Sequence, residues 1–357
     1  MNFKNKRKYL KLEYPKNKYS AFQNFRMNNN KEIYINIIRF FILIIVLIIL
    51  FSLYHQNSKN FMKYQAKYNI DFNYANYEKN LITRKIIKNS GWILERNEAY
   101  FINGLIRKFK PQNCLEVGVA RGGSSILILN AIKDISDSIL ISLDLSTQLR
   151  TNHSKKTGYK VNQYFPELAK KWKLFTGQQP HKFLIKLNMK FDFVFLDTVH
   201  SAPGEMLNFI EILPFLNENA IFVLHDILWH FGQKPKFCPS NVYLYPVIYG
   251  DKVLLKNEDG SVPNTGAIFL YNNQEKHYLE YFLLLLACWE YMPKDNYINE
   301  LRKFIKDFYK KDIYLKIFYT AVIKNKIRIK NIKNENSYNS KQHKYFYSNV
   351  SGNNLNK

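Results

Sequence analysis

NCLEVGVARGGSS, residues 113–125, decides how this chain is read. Its first five residues suit a buried strand, three glycines follow, and two serines stand where a helix would begin. Glycine has no Cβ to block close backbone approach and reaches positive φ without penalty. Gly118, Gly122 and Gly123 therefore read as a tight turn that can bring backbone N–H groups up to a ligand. Ser124 or Ser125 is placed to cap the following helix, whose free N–H groups and dipole favour a carboxylate or phosphate. Glu116 ends near the turn, where its carboxylate can accept hydrogen bonds from amine or hydroxyl groups. The stretch outlines a cofactor site, and two other readings also fit it. One is a dinucleotide fingerprint, which wants G-x-G-x-x-G and meets Ala120 at its middle glycine. The other is a strand, turn and helix packed for their own sake.

Downstream, apolar runs that end in acids alternate with helical spacing. SILISLDLS (138–146) is a strand closing on Asp144; FDFVFLDTVHS (191–201) closes on Asp197 and His200; LNENAIFVLHDI (216–227) closes on His225 and Asp226. Between the last two, Met206, Phe209, Ile210 and Leu213 share one face of a crossover helix. Such alternation predicts an α/β fold with a doubly wound, mostly parallel sheet and ligands at the carboxyl ends of its strands. VLLKNEDGSVPNTGAIFLYNN (253–273) reads as two further strands about a Gly and Pro turn.

The segment LEVGVARGGSS, with its acid two positions before the first glycine, resembles the first motif of class I S-adenosylmethionine-dependent methyltransferases. Together, LDTVHS and VLHD are similar to the group that includes cephalosporin-hydroxylase-like and macrocin O-methyltransferase-like proteins, and more distantly to metal-dependent catechol-type O-methyltransferases. The resemblance covers residues 98–272 and implies a seven-stranded Rossmann-like methyltransferase sheet. It implies S-adenosylmethionine as cofactor, held by Glu116, Gly118, Gly122, Gly123 and Ser124, with Asp144 on the ribose hydroxyls. The loop after the third strand, within KWKLFTGQQPHKFL, lacks the family's adenine-binding acid and offers Gln178 instead.

For the reaction, His200 and Asp197 are the expected catalytic pair. An imidazole titrates near neutral pH and could take the proton of an acceptor hydroxyl, although catechol-type relatives place a lysine there. The resemblance also implies a divalent cation such as Mg, held by Asp197 and Asp226 with His225 as third ligand. Ile227 follows Asp226 where catechol-type members carry an amide, so the metal set departs from theirs. The function implied is O-methylation of a small hydroxylated acceptor such as a sugar or glycolipid. A non-catalytic binding protein on a degenerate methyltransferase fold is the rival reading, and RNA methylation a third.

Composition frames these expectations. The 357 residues carry a net charge of +25, amid abundant Lys, Asn, Ile, Phe and Tyr. Charge of this kind does not by itself establish nucleic-acid binding. KYLKLEYPKNKYS (8–20) has the basic and aromatic look of an RNA-binding stretch, but the NPPY-like segment of many base methylases is missing, so nucleic acid is not an expected partner. The three cysteines, Cys114, Cys238 and Cys288, show neither metal-type spacing nor an even count for a disulfide framework.

Residues 40–53, FFILIIVLIILFSL, are uncharged and apolar on every side. Extended back to residue 33, they approach the roughly 20 residues of a membrane span. The expected organisation is a basic disordered tail (1–32), a transmembrane helix (33–54), and a linker with helical lead-in (55–97), with residues 76–109 packing beside the first strand and lending substrate-side contacts. A methyltransferase domain (98–272), C-terminal helices (273–330) broken at Pro293, and a second disordered tail (331–357) follow. The basic leader places the amino terminus in the cytoplasm and the rest outside, whereas the cofactor is cytosolic. A membrane anchor with its catalytic domain on the cytoplasmic face is the expectation.

Overall fold

The computed structural model describes residues 74–90, 96–227, 238, 240–255 and 264–350, all within the unit of residues 54–357. The expected transmembrane helix and the basic tail before it lie outside the described residues. Among the described residues, no helix is long and apolar enough to cross a membrane.

Seven strands form one sheet: β1 (Asn113–Val117), β2 (Ile139–Asp144), β3 (Trp172–Thr176), β4 (Phe191–Leu196), β5 (Leu216–Leu224), β6 (Gly250–Leu254) and β7 (Gly266–Leu270), in the order β3-β2-β1-β4-β5-β7-β6. The first five run parallel, and β7 lies antiparallel to both β5 and β6. An antiparallel strand inserted beside β5 separates this order from the 3-2-1-4-5-6 sheet of the dinucleotide fold. The order reverses at β1, which has β2 on one side and β4 on the other. A crevice opens at such a switch point, above the carboxyl ends of the strands.

Period-2 alternation splits the strand side chains between two faces. Cys114, Phe193, Phe195, Ile221 and Val223 join the core under α1 (Arg84–Ser90), α2 (Arg96–Phe109) and α3 (Gly123–Ile132). α3 is buried along its whole length and so shows no amphipathic stripe. Val161 of α4 (Tyr159–Tyr164) joins this same core, and the opposite face carries α5 (Pro180–Leu187), α6 (Gly204–Ile212), α7 (Ser240–Val247), α8 (Tyr278–Leu283), α9 (Asp295–Tyr309) and α10 (Asp312–Val350) among the elements that follow in the chain. On α6 all four expected core residues, Met206, Phe209, Ile210 and Leu213 at its end, are buried. Phe209 meets Phe222 of β5 and Tyr281 of α8 edge to face, at 5.3 and 5.1 Å between ring centres.

The C-terminal region departs from expectation in three ways. The helical region expected after the break at Pro293 is two helices, because Lys310 takes a left-handed φ of 57° and turns the chain. α10 then runs to Val350, into the tail expected to be disordered. Its start is seated on the core through Tyr314, Ile317, Phe318 and Ala321, and a helix once nucleated propagates at little cost per residue. Finally, Cys238 and Cys288 form a disulfide across 50 residues, while Cys114 stays a buried thiol. The pairing is set by how the segment after β5 meets the segment after α8, which sequence spacing does not reveal.

Gly118 is where the first and fourth strands part. Its φ is +93°, its N–H donates to the Leu143 carbonyl at 2.9 Å, and a Cβ there would stand 1.7 Å from the Asp197 carbonyl oxygen. Both conformation and space require glycine. Gly118→Ala is expected to cost at least about 3 kcal/mol of folding free energy, read as a shift of the urea midpoint at unchanged slope.

Candidate functional site

A cleft of roughly 930 Å³ opens at the switch point, at the upper end of the range usual for a small-molecule site. One side is the turn after β1, from Val117 to Arg121, with Ser124. Asp144 and the residues after β2 form the floor, Gly177 and Gln178 follow from β3, and Asp197 to Val199 from β4. The facing wall is built from Tyr291 to Lys294, with Asn296, Tyr297 and Glu300.

Asp144 organises the turn. Its Oδ2 accepts the backbone N–H groups of Val119 and Ala120 at 2.9 and 3.0 Å, and its Oδ1 accepts that of Ser146 at 2.7 Å. Ala120, where a dinucleotide fingerprint wants glycine, has φ 47°. That conformation costs an L-residue about 1 kcal/mol or more, and its hydrogen bond to a carboxylate offsets the cost. Three of the roughly four acceptor positions on the carboxylate are used, leaving one on Oδ1 towards the cleft.

Glu116 takes a different place from the one expected. It is fully buried, does not line the cleft, and accepts the hydroxyls of Ser124, Ser125 and Ser142 at 2.5, 2.6 and 2.5 Å. The serines therefore do not cap α3, whose N-cap is Gly122. Three hydroxyl donors from α3 and β2 converge on one acid of β1, so the carboxyl ties together the elements that shape the turn. Burial pushes its pKa from 4.5 up to about 7, against the three hydroxyl donors, which favour the carboxylate.

Asp197, His200, His225 and Asp226 converge at the ends of β4 and β5. His200 Nε2 stands 3.0 Å from Asp226 Oδ2 and 3.7 Å from Asp197 Oδ1. His225 Nδ1 stands 3.4 Å from Asp197 Oδ1 and 3.6 Å from Asp226 Oδ2. His200 and Asp226 both hold left-handed backbone, with φ of 56° and 51°. Strain of this kind gathers at functional sites and persists because the surroundings impose it. The backbone N–H of His200 donates to Glu205 Oε1 at 2.6 Å, and the Asn264 side-chain amide donates to Asp226.

Electrostatics divides the cluster. Burial works against ionisation of Asp197, but His225 and His200 beside it hold its carboxyl below the ordinary value. Asp226 goes the other way: burial, with Asp197 close by, raises it despite the two imidazoles. Burial alone would discharge both histidines, yet Asp197 and its neighbours outweigh it for His225, and Glu205, Asp197 and Asp226 do so for His200, so both titrate above the usual imidazole. The ring of His200 is engaged by the neighbouring strand end, its Nε2 facing Asp226 at 3.0 Å, which departs from the role expected of it. Nor does His200 line the cleft; Asp197 alone of these four side chains does.

Of the residues expected to hold a cofactor, Gly118, Ser124, Asp144 and Gln178 line the cleft, whereas Glu116, Gly122 and Gly123 do not. Gly122, with φ of +89°, lies against Gly158 and Val161 and shapes the turn from behind. None of the described residues from 74 to 109 lines the cleft, in contrast to the substrate-side contacts expected of the lead-in. Sequence reading also passed over the wall residues Tyr291, Lys294 and Tyr297. Their one local signal is the density of aromatic and polar side chains in YMPKDNY (291–297) around the helix-breaking proline. A partly buried chain of contacts supports this wall: Thr198 donates to Asn208, Asn208 to Glu211, and Glu211 pairs with His181 at 2.5 Å, whose ring stacks on Tyr297.

Asp197, His225 and Asp226 also offer one ligand atom each within 4.8 Å of one another. Both ring nitrogens of His225 are buried, and each faces a carboxylate oxygen at 3.4 Å, Nδ1 that of Asp197 and Nε2 that of Glu98. Two carboxylates and one imidazole suit a hard or borderline divalent ion such as Mg, Mn or Fe, so the donor set fits the expected cation.

Compared with known proteins, residues 115–227 match the family described as a methyltransferase domain. No curated protein matches the chain. Solved structures similar to it include the O-methyltransferase TomG from Streptomyces achromogenes, in complex with SAM, at 15% identity over 53% of this chain and 90% of that one, TM-score 0.40. An O-methyltransferase from Bacillus cereus in complex with SAH is 14% identical over 58% and 96%, TM-score 0.39. A putative O-methyltransferase from Klebsiella pneumoniae is 15% identical over 52% and 88%, TM-score 0.41.

The raised pKa of Glu116 carries a sign that can be tested. The folded protein holds this proton up to about pH 7, while the ordinary value is 4.5. Relative to a neutral side chain, its contribution is intact below 4.5 and is lost as pH rises to about 7. Glu116→Gln should therefore gain on the native protein across that window, by on the order of 3 kcal/mol, in parallel urea titrations at pH 4.5 and 7.5. A constant difference between the two proteins would mean that burial does not govern this carboxyl.

Proposed function

We propose that this chain, whose residues 115–227 match a methyltransferase domain, is a class I methyltransferase that O-methylates a small hydroxylated acceptor such as a sugar or glycolipid. The observation that carries this reading is the meeting of the turn after β1, Asp144, Gln178 and Asp197 in one cleft. S-adenosylmethionine, when bound, supplies a methyl group on a sulfonium for in-line displacement by an oxygen nucleophile. The turn from Val117 to Arg121 and the start of α3 would hold the donor's charged end, where helix N–H groups have no partner within the helix. Asp144 would meet a ribose hydroxyl with its remaining Oδ1 acceptor position, and Gln178 would face the base.

On the acceptor side, the carboxylate of Asp197 would accept the hydrogen bond of the acceptor hydroxyl and orient its oxygen towards the methyl group, a role suited to an ionised group lining the cleft. His200 and His225 keep Asp197 ionised from behind. Asp197, His225 and Asp226 would hold a divalent cation, which when bound lowers the pKa of a coordinated hydroxyl. The wall residues Tyr291 and Tyr297 offer flat apolar surface with polar edges, as a sugar ring requires. Positioning by such a wall does much of the work in methyl transfer.

Anchorage to the cytoplasmic face of a membrane through residues 33–54 belongs to the same proposal. It stands on the sequence alone, and the disulfide between Cys238 and Cys288 favours the opposite, oxidising side. Reporters fused after Lys357, one active only in the cytoplasm and one only outside, decide between the two; the cytoplasmic reporter is expected to be active.

Calorimetric titration of the full chain with S-adenosylmethionine should show one-to-one binding that Asp144→Ala weakens by at least about tenfold, the equivalent of one lost hydrogen bond to a charged group. Asp197→Asn should leave donor binding within a few-fold and lower kcat by about 10². Tyr291→Ala should raise the KM for the acceptor more than it lowers kcat. Absence of heat from folded native protein would remove the enzyme reading.

A further inference from the structure

Glu98 lies in the first turn of α2, before the sheet begins and outside the stretch that matches the methyltransferase family. It is nonetheless buried. A buried carboxylate is costly unless something compensates it, and two contacts do so here. The Thr265 hydroxyl, itself buried just before β7, donates to Glu98 Oε1 at 2.6 Å. The same oxygen stands 3.4 Å from His225 Nε2.

The arrangement around His225 is two-sided. Its Nε2 faces Glu98, and its Nδ1 faces Asp197 and Asp226 at 3.4 and 3.6 Å. Which nitrogen of a neutral imidazole carries the hydrogen is set by the acceptor opposite it. A carboxylate behind Nε2 draws the hydrogen there and leaves the Nδ1 lone pair turned towards the two aspartates. Histidines that ligate metals usually donate their other ring N–H in this way, which fixes the ring and raises its basicity.

We infer that Glu98, held by Thr265, is the positioning residue of the candidate cation site, fixing His225 so that Nδ1 is offered as the third ligand beside Asp197 and Asp226. This rests on the divalent-cation reading given above. It assigns a task to α2 in a site otherwise made by β4 and β5, and it places β7 in the same construction through Thr265. An amide oxygen can accept from Nε2–H as a carboxylate does, so Glu98→Gln should keep the orientation, whereas Glu98→Ala removes the acceptor.

The test is titration of the full chain with Mn2+ alone, with free ion read by electron paramagnetic resonance and folding checked by circular dichroism. Native protein is expected to bind one Mn2+; Glu98→Ala should weaken it by about 10- to 100-fold, and Glu98→Gln should stay within a few-fold of native. Thr265→Val, which leaves the carboxylate in place but frees it to turn, should show a smaller loss and serves if Glu98→Ala does not fold. If folded native protein takes up no Mn2+, the cation reading itself is wrong. If native protein binds Mn2+ and Glu98→Ala binds it equally well, or Glu98→Gln is as weak as the alanine variant, the role given to Glu98 is overturned.

Discussion

The carboxylate of Asp144, closed on the backbone N–H groups of Val119 and Ala120, is the interaction on which the rest of the site depends. A turn of small residues has many conformations, and one acid at the end of β2 selects among them by satisfying two donors that would otherwise face the cleft. Gly118 does the complementary job from beneath, since only a residue without Cβ lets the β1 turn settle onto the backbone of Asp197. The donor side is thereby fixed by backbone groups and one carboxylate, with few mobile side chains involved. Glu116 works at one remove: it binds α3 to β1 and β2 through three serine hydroxyls, so the helix that supplies the cleft's N–H groups cannot slide.

Much of this was legible in the sequence. Strands that end in acids, glycines clustered after the first strand and helical spacing between later strands sufficed for the doubly wound sheet, because each is a local consequence of backbone geometry. Gly118, Ser124, Asp144, Gln178 and Asp197 could be chosen from motif position alone, and all line the cleft. The roles of Glu116 and His200 could not. An acid before a glycine turn is compatible with facing a ligand or facing inward, and Ser142, which helps decide the matter, lies 26 residues away on another strand. A histidine after a strand can enter the cleft or fold back on the neighbouring strand end, and the left-handed backbone of His200 takes it back.

Long-range juxtaposition was the least legible part. Glu98 and His225 are separated in sequence by five of the seven strands, Cys238 and Cys288 by the other two, and no periodicity links either pair. The break at Lys310 was missed for a related reason, since lysine carries no helix-stopping signal and its left-handed φ is imposed by the packing of α9 and α10.

The wall opposite the glycine turn comes from residues 291–300, beyond the last strand. The two halves of the cleft thus have separate origins in the chain, one threaded through the sheet and the other carried by appended helices. Substitutions at Tyr291 or Lys294 leave the hydrogen bonds that hold the sheet's own half intact. Descendants of such a protein are free to change what they modify while keeping the means of modification, because the two requirements fall on different stretches of the gene.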